Sequence, residues 1–330
     1  MAQTVLNFDE TQNLEPVQPE LVEPIVTNKD LAANWFLGGK IYRAPMGNGR
    51  YYFREGFPEF YSGYSTWTKN VLPTAYQLIE WQVRMGLEGK NISLAAREYG
   101  HIFHLLVARH ERPDDEFTFK VRYPEAAEWR DLIRQTVAQN GLPPAYIETW
   151  EAQLQNDMVA YFNWKQLHQV QVLAVEAPVW SDKYKIATPA DLVCKCLVKA
   201  SPYAKKPTIP AVVGVDFKSG ENSVAYDAYQ LQLEFIRMAW NERYRKTPWK
   251  MTHIYNWAPK KRALSPGGFN FVDQSGKYTM PQVRHYCTTN AIMGFNVPSG
   301  EVLYYTDGKN GPELKRVAPL DWLKVFFGKK

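Results

Sequence analysis

Between residues 169 and 260 the chain carries three β-branched stretches, one long helical pattern and a further extended stretch, in that order. The extended segments are QVQVLAVEAPVW, KIATPADLVCKCLVKA and IPAVVGVDFKSG, each bounded by Pro, Gly, Ser or Lys clusters that end a strand. AYDAYQLQLEFIRMAWNERY (225–244) has the length and period of a helix, and KMTHIYNWAPK then reads as a fourth strand. VVGVDF is apolar at every position but one, the pattern of a central strand covered on both faces. Strand, strand, strand, helix, strand predicts an α/β core, a mixed sheet flanked by helices.

Around that core (169–262) the chain divides into three parts. Residues 1–30 hold Asp9, Glu10, Glu15, Glu20, Glu23 and Asp30 against Lys29, with three prolines and no periodicity, which reads as an acidic flexible leader or a partner-docking segment. Residues 31–168 begin with short strands at 41–67 and continue as a helical region. One helix follows Pro73, and a second starts at the N-cap Ser93 with Leu94, Tyr99, Phe103 and Leu106 at helical spacing. Two more cover 125–139 and 144–168, separated by the GLPP break. Residues 263–330 carry weaker strand signals, including TDGKNG between VLYY and LKRV, and end in a short amphipathic helix, APLDWLKVFF, completing the same domain.

The chain has 330 residues, 45% of them apolar, enough for a sizeable core, yet no apolar run approaches the roughly 18 residues that a bilayer span needs. MAQTVLNFDETQ lacks the basic and apolar regions of a secretory signal. Three cysteines, Cys194, Cys196 and Cys287, exclude a disulfide scaffold and a four-cysteine zinc or iron–sulfur site within one chain. These features predict a soluble cytoplasmic protein without membrane contact. With 39 bases and 34 acids the net charge is +5, but the acidic leader masks a body of +10.

The chemistry concentrates where the strands end. Asp216 and Lys218 lie two apart in VGVDFKSG, on one face of a strand, just before a Ser–Gly turn. If 186–199 and 211–218 pair as an antiparallel hairpin, Asp191 at the start of one comes beside Asp216 at the end of the other. Two carboxylates make a hard oxygen site suited to Mg²⁺ or Mn²⁺, and Glu176 sits where a third strand adds another. Clustered carboxylates beside a lysine suit phosphodiester hydrolysis: a metal neutralises phosphate charge and activates water, and an ammonium orients that water or stabilises developing charge. Alone, Asp216–Lys218 reads as a solvated strand-end pair; the order and context of the surrounding segments raise the functional reading.

The order of segments resembles the PD-(D/E)xK nuclease superfamily, in particular its RecB-like branch and the exonucleases of bacteriophages. The resemblance rests on EFYSGYSTWTK, EYGHIFH, VLAVEAPVWSDKYKIATPADLV, VVGVDFKSGE, AYDAYQLQLEF and HIYNWAPK, spanning about residues 59–260. It implies a restriction-endonuclease-like core and a metal-dependent DNA nuclease, an exonuclease in recombination, repair or processing. His104 then matches the family's helical metal-binding histidine, Glu176 the acid of the first core strand, Asp191 and Asp216 the metal-binding aspartates, and Lys218 the catalytic lysine. Phe217 lends a backbone carbonyl to the metal, and Tyr229 and Gln232 match a tyrosine–glutamine feature on the following helix. The chain departs from the pattern at Thr188, where the family has glycine, and at the interrupted Pro189-Ala190-Asp191. No P-loop is present, so nothing points to ATP-driven unwinding.

Three further features have competing readings. His101 is either a packing residue, a substrate contact or a second imidazole ligand, although two imidazoles favour zinc over magnesium. Cys194-x-Cys196 has the wrong spacing for a zinc knuckle and reads as core. Residues 237–262 hold eight bases, among them Lys260, Lys261 and Arg262, and one acid, with Trp249, Tyr255 and Trp257 interleaved. That mix suits either a phosphate-tracking groove with stacking rings, next to the metal site, or a solvated helix end with core aromatics. The expected partner is DNA, at its ends or as single strands. The alternatives are a catalytically inactive nucleic-acid-binding or scaffold protein, and a structure-specific endonuclease.

Overall fold

The core elements fall where the sequence places them. The structure is a computed structural model that describes residues 41–43, 51–54, 57–63, 94–111, 126–201, 203–218, 227–260, 267–292, 302–308, 311–318 and 321. Three short strands come first, β1 (Ile41–Arg43), β2 (Tyr51–Arg54) and β3 (Phe57–Gly63). Three helices follow: α1 over 94–111, α2 (Ala126–Gln139) and α3 (Tyr146–His168). Then come β4 (Gln171–Ser181), β5 (Ile186–Val198), β6 (Ile209–Phe217), α4 (Asp227–Tyr244), β7 (His253–Pro259) and β8 (Phe269–Asp273). The described chain ends with α5 (Met280–Ile292) and the hairpin β9 (Val302–Gly308) and β10 (Gly311–Val317), a two-stranded sheet of its own. The leader, the helix expected after Pro73 and the helix expected at 318–327 lie outside the described residues, apart from Ala318 and Asp321.

Among the described residues, eight strands form one mixed sheet in the order β1-β2-β3-β5-β6-β7-β8, with β4 paired to β5. β5 pairs antiparallel with β4 along one edge. On its other edge it meets β3 in parallel at Ile186 and Ala187, and β6 antiparallel from Leu192 onward. Residues 188–191 of β5 therefore face a gap between the end of β3 and the end of β6. β6 and β7 run parallel, Asp216 level with Asn256.

Alternation along the strands builds two cores. Val213, Val215 and Phe217 of β6, Leu192 and Cys194 of β5, and Tyr255 and Trp257 of β7 pack against α1, α2 and α3. Val212, Val193 and Ile254 point the other way, into Leu231, Phe235 and Trp240 of α4 and Val283 and Cys287 of α5. The molecule is thus α/β, a mixed sheet with a helical layer on each face. Cys194 and Cys196 are buried free thiols, as expected of core residues.

Local signals explain the helix ends. Gly141 has φ +60° and ends α2, with Leu142 N–H reaching back to the Val137 carbonyl and the Leu142 side chain buried. α5 corrects the expectation of further strands here. A capping box starts a helix: Gln282 N–H donates to Thr279 Oγ1, and Thr279 N–H donates to Gln282 Oε1 at 2.8 Å.

Candidate metal centre

The gap beside residues 188–191 of β5 is where the chemical groups meet. Leu192 pairs with Val215, so one further step of the register sets Asp191 against Asp216. Val175 pairs with Leu192 and Ala177 with Ala190, so Glu176 on β4 lies across from Asp191 on the other side. Three carboxylates from three adjacent strands fall on one line, and α1 brings His104 over it. His104 Nδ1 is 3.0 Å from Glu176 Oε1 and 3.8 Å from Asp191 Oδ1. Ligand atoms of His104, Glu176 and Asp191 all lie within 4.8 Å of one another.

The remaining expected residues divide between this cluster and elsewhere. Lys218 Nζ forms an ion pair with Asp216 Oδ2 at 2.5 Å, so the i, i+2 placement does bring them together. Asp216 stands outside the three-ligand group and is held by its lysine, whereas Glu176 is more closely knit to His104 than the sequence reading gave reason to expect. Phe217 contributes its backbone N–H, donated to Asp191 Oδ2 at 2.8 Å. Its ring packs among Phe103, His104, Tyr161 and Trp257 and fixes where α1 sits. Gln232 donates to Thr188 Oγ1 at 3.4 Å. Tyr229 is placed in the first turn of α4, and its side chain lies outside what is described. Lys260 follows the last β7 residue at this same end of the sheet, while Lys261 and Arg262 lie outside the described residues. His101 is exposed and 3.4 Å from Glu98, away from the cluster.

Of the two readings of Tyr255 and Trp257, the structure bears out core aromatics and not stacking rings. Both are buried, Trp257 completely, because β7 is an inner strand whose odd positions face α1 and α3. The basic run is corrected in part. Arg237 pairs with Glu234, and Arg243 lies 3.7 Å over the Trp180 ring while donating to the Trp180 carbonyl.

Burial sets the electrostatics. Asp191 is pushed upward by burial, against the pull of His104. Asp216, also buried, is pushed up to about 6 although Lys218 opposes the shift. Burial alone would lower His104, but the carboxylates of Asp191 and Glu176 outweigh it and hold its imidazolium up to about 9. Once His104 gives up its proton, one imidazole nitrogen and several carboxylate oxygens, partly screened from water, form a donor set that fits a divalent cation of the Mn²⁺ or Mg²⁺ type.

Two features escaped the sequence reading. Glu176 has φ +47°, a left-handed conformation unusual for a non-glycine residue, two residues beyond a register shift between Val172 and Ala174. Asn256, level with Asp216 on the next strand, is fully buried with both amide atoms lacking a hydrogen-bond partner. A polar residue inside HIYNWAP was the available signal for it.

Compared with protein-family models and with curated proteins, the chain matches no family model and no curated protein.

Proposed function

We propose that the chain is a divalent-metal-dependent nuclease of PD-(D/E)xK type that hydrolyses phosphodiester bonds in DNA, acting as an exonuclease. The reading is carried by one observation: His104, Glu176 and Asp191 converge within ligand distance at a gap in the sheet, beside the Asp216–Lys218 pair. His104, Glu176 and Asp191 would hold Mg²⁺ or Mn²⁺, with Asp216 and the Phe217 carbonyl completing the set. The bound ion would supply positive charge to the scissile phosphate and make water acidic enough to attack at neutral pH.

The chain's own groups do the rest. The ion pair with Asp216 fixes the Lys218 ammonium at the end of β6, where it can orient the attacking water or bind a phosphate oxygen. The Phe217 N–H holds the Asp191 carboxylate in one orientation. His104, packed edge-on against Phe103 and Phe217, cannot swing away from Glu176 without disturbing the core.

The test is cleavage of linear and covalently closed circular DNA with Mg²⁺, Mn²⁺ or EDTA, for the parent and for Asp216→Ala. Metal-dependent loss of the linear substrate only, abolished in the variant, is the expected result. Equal degradation by Asp216→Ala would overturn the assignment, and cleavage of circles would replace exonuclease by endonuclease. A chain with no Mn²⁺-dependent shift in melting temperature would be a non-catalytic binder.

A further inference from the structure

The end of the sheet opposite the acidic cluster is strongly basic. β5 leaves it at Val198 and β6 returns at Ile209, with Thr208 N–H closing the neck on the Val198 carbonyl. The hairpin loop between them carries Lys199, Lys205 and Lys206, all exposed, and none forms an ion pair among the described residues. Between these lysines stands Tyr203, 94% exposed, far more than any other large apolar side chain described except Ile292.

A second segment arrives at the same place. Lys195 of β5 pairs with Val212, and Thr252 N–H donates to the Val212 carbonyl at 2.9 Å, so the connection from α4 to β7 borders the start of β6. That connection exposes Arg245, Lys246 and Lys250, and Lys195 lies 5.8 Å over the ring of Trp249. From 192 to 215 and from 243 to 272 the sequence contains no acid at all. The acids that border the second segment are engaged: Glu242 accepts from Ser181 Oγ, Asp182 lies 3.6 Å from Arg243, and Asp273 accepts the Ser275 N–H. The part of the basic run expected beside the metal centre is therefore split: Arg245, Lys246 and Lys250 lie at the far end. Eight residue steps, about 26 Å of extended chain, separate Asp191 from Lys199.

We propose that this end of the sheet is a second nucleic-acid contact, in which the hairpin lysines bind phosphates and Tyr203 stacks on a base of a single-stranded segment. It rests on the nuclease reading for its choice of ligand but not for its chemistry. Lysines without acids give sequence-independent phosphate binding, and an exposed ring among them adds stacking that a paired duplex base cannot offer. Its distance from the acidic cluster lets it hold a strand while another part of the same molecule lies in the centre.

The test is fluorescence anisotropy of a labelled twenty-nucleotide oligo-dT with the full chain in EDTA, where cleavage is absent. Lys199→Gln/Lys205→Gln/Lys206→Gln should weaken binding about tenfold or more in low salt, and should flatten the slope of log affinity against log salt by about 2, at about 0.7 per phosphate contact. Tyr203→Ala should weaken oligo-dT binding about 5- to 150-fold while leaving a hairpin duplex of equal length unaffected. Parent-like affinity and slope in the triple variant would overturn the proposal. So would equal losses on single strand and duplex in Tyr203→Ala, which mark a phosphate contact without stacking. Loss of binding only to phosphatidylserine vesicles would assign the face to a membrane instead. A parent chain that cleaves no DNA with Mg²⁺ or Mn²⁺, yet binds oligo-dT and loses that binding in the triple-lysine and Tyr203→Ala variants, would overturn the nuclease reading and leave this proposal standing.

Discussion

The backbone N–H of Phe217 donates to the carboxylate of Asp191 across 26 residues of chain, at 2.8 Å. This bond ties the last residue of β6 to β5 at the point where the β5 edge opens toward β3. One Asp191 oxygen is thereby used in building the site, and the other faces His104. Asp191→Ala should lose more than metal affinity, because it leaves a buried N–H without an acceptor, a cost of about 1–3 kcal/mol. Asp191→Asn keeps an acceptor and should stay within about 1 kcal/mol of the parent while losing cleavage. Urea unfolding in EDTA separates them, and equal stability of the two variants would mean the bond contributes nothing.

Lys218 has two separable roles. Lys218→Met removes the cation that opposes a divalent ion, so Mn²⁺ affinity should rise, while cleavage should fall about 10²–10³-fold through lost charge stabilisation. Without metal the variant should lose about 1–3 kcal/mol, because Asp216 is buried and loses its partner. Calorimetric titration with Mn²⁺ beside single-turnover cleavage checks both halves; a drop in Mn²⁺ affinity would contradict this placement of the charge.

The backbone at Glu176 predicts an inversion of the usual glycine effect. At φ +47° a Cβ costs about 1 kcal/mol, so Glu176→Gly should be more stable than Glu176→Ala by about that amount. Both should lose Mn²⁺ binding, since both remove the carboxylate beside His104. Thermal melts of the pair in EDTA decide it, and an Ala variant as stable as the Gly variant would show the conformation relaxes at no cost.

How much of this could be read without coordinates depends on how far each residue's position is set by its neighbours in sequence. β5, β6 and β7 were legible because inner strands impose continuous apolar runs, α4 because of its length and period, and β4 because of its β-branched residues. The meeting of Asp191 with Asp216 followed from a hairpin register, which is local. The contact of His104 with Glu176 was not derivable from spacing, because it depends on how Phe103 and Phe217 seat α1 on the sheet, and only the family resemblance pointed there. No glycine announces the left-handed turn at Glu176. Tyr255 and Trp257 were open to misreading because a ring looks the same in a sequence whether it packs in a core or waits for a base; their alternation with Ile254 and Asn256 on an inner strand decides it. The signal for α5 was Thr279 and Gln282 at capping-box spacing, present in the sequence among the weaker strand and turn signals of 263–330.

Metal binding should strengthen as pH rises. In the metal-free protein Asp216 is raised to about 6 from 3.8, and His104 to about 9 from 6.5. Each group binds its proton more tightly when folded. The stability it contributes is present below the unfolded value and is lost as pH climbs through the folded one: from about 4 to 6 for Asp216, and from about 6.5 to 9 for His104. A divalent ion needs Asp216 ionised and the His104 Nδ1 lone pair free, so it competes with those protons and releases them on binding. Mn²⁺ affinity should therefore rise about tenfold per pH unit for each proton displaced, and the Mn²⁺-induced increase in Tm should be larger at pH 8 than at pH 6. Replacing His104 by Gln should flatten the dependence above pH 6.5 and leave the part near pH 6. Differential scanning fluorimetry from pH 5.5 to 8.5, with and without Mn²⁺, measures it. A Tm increase that is constant or shrinks with pH would show that His104 and Asp216 do not share a cation.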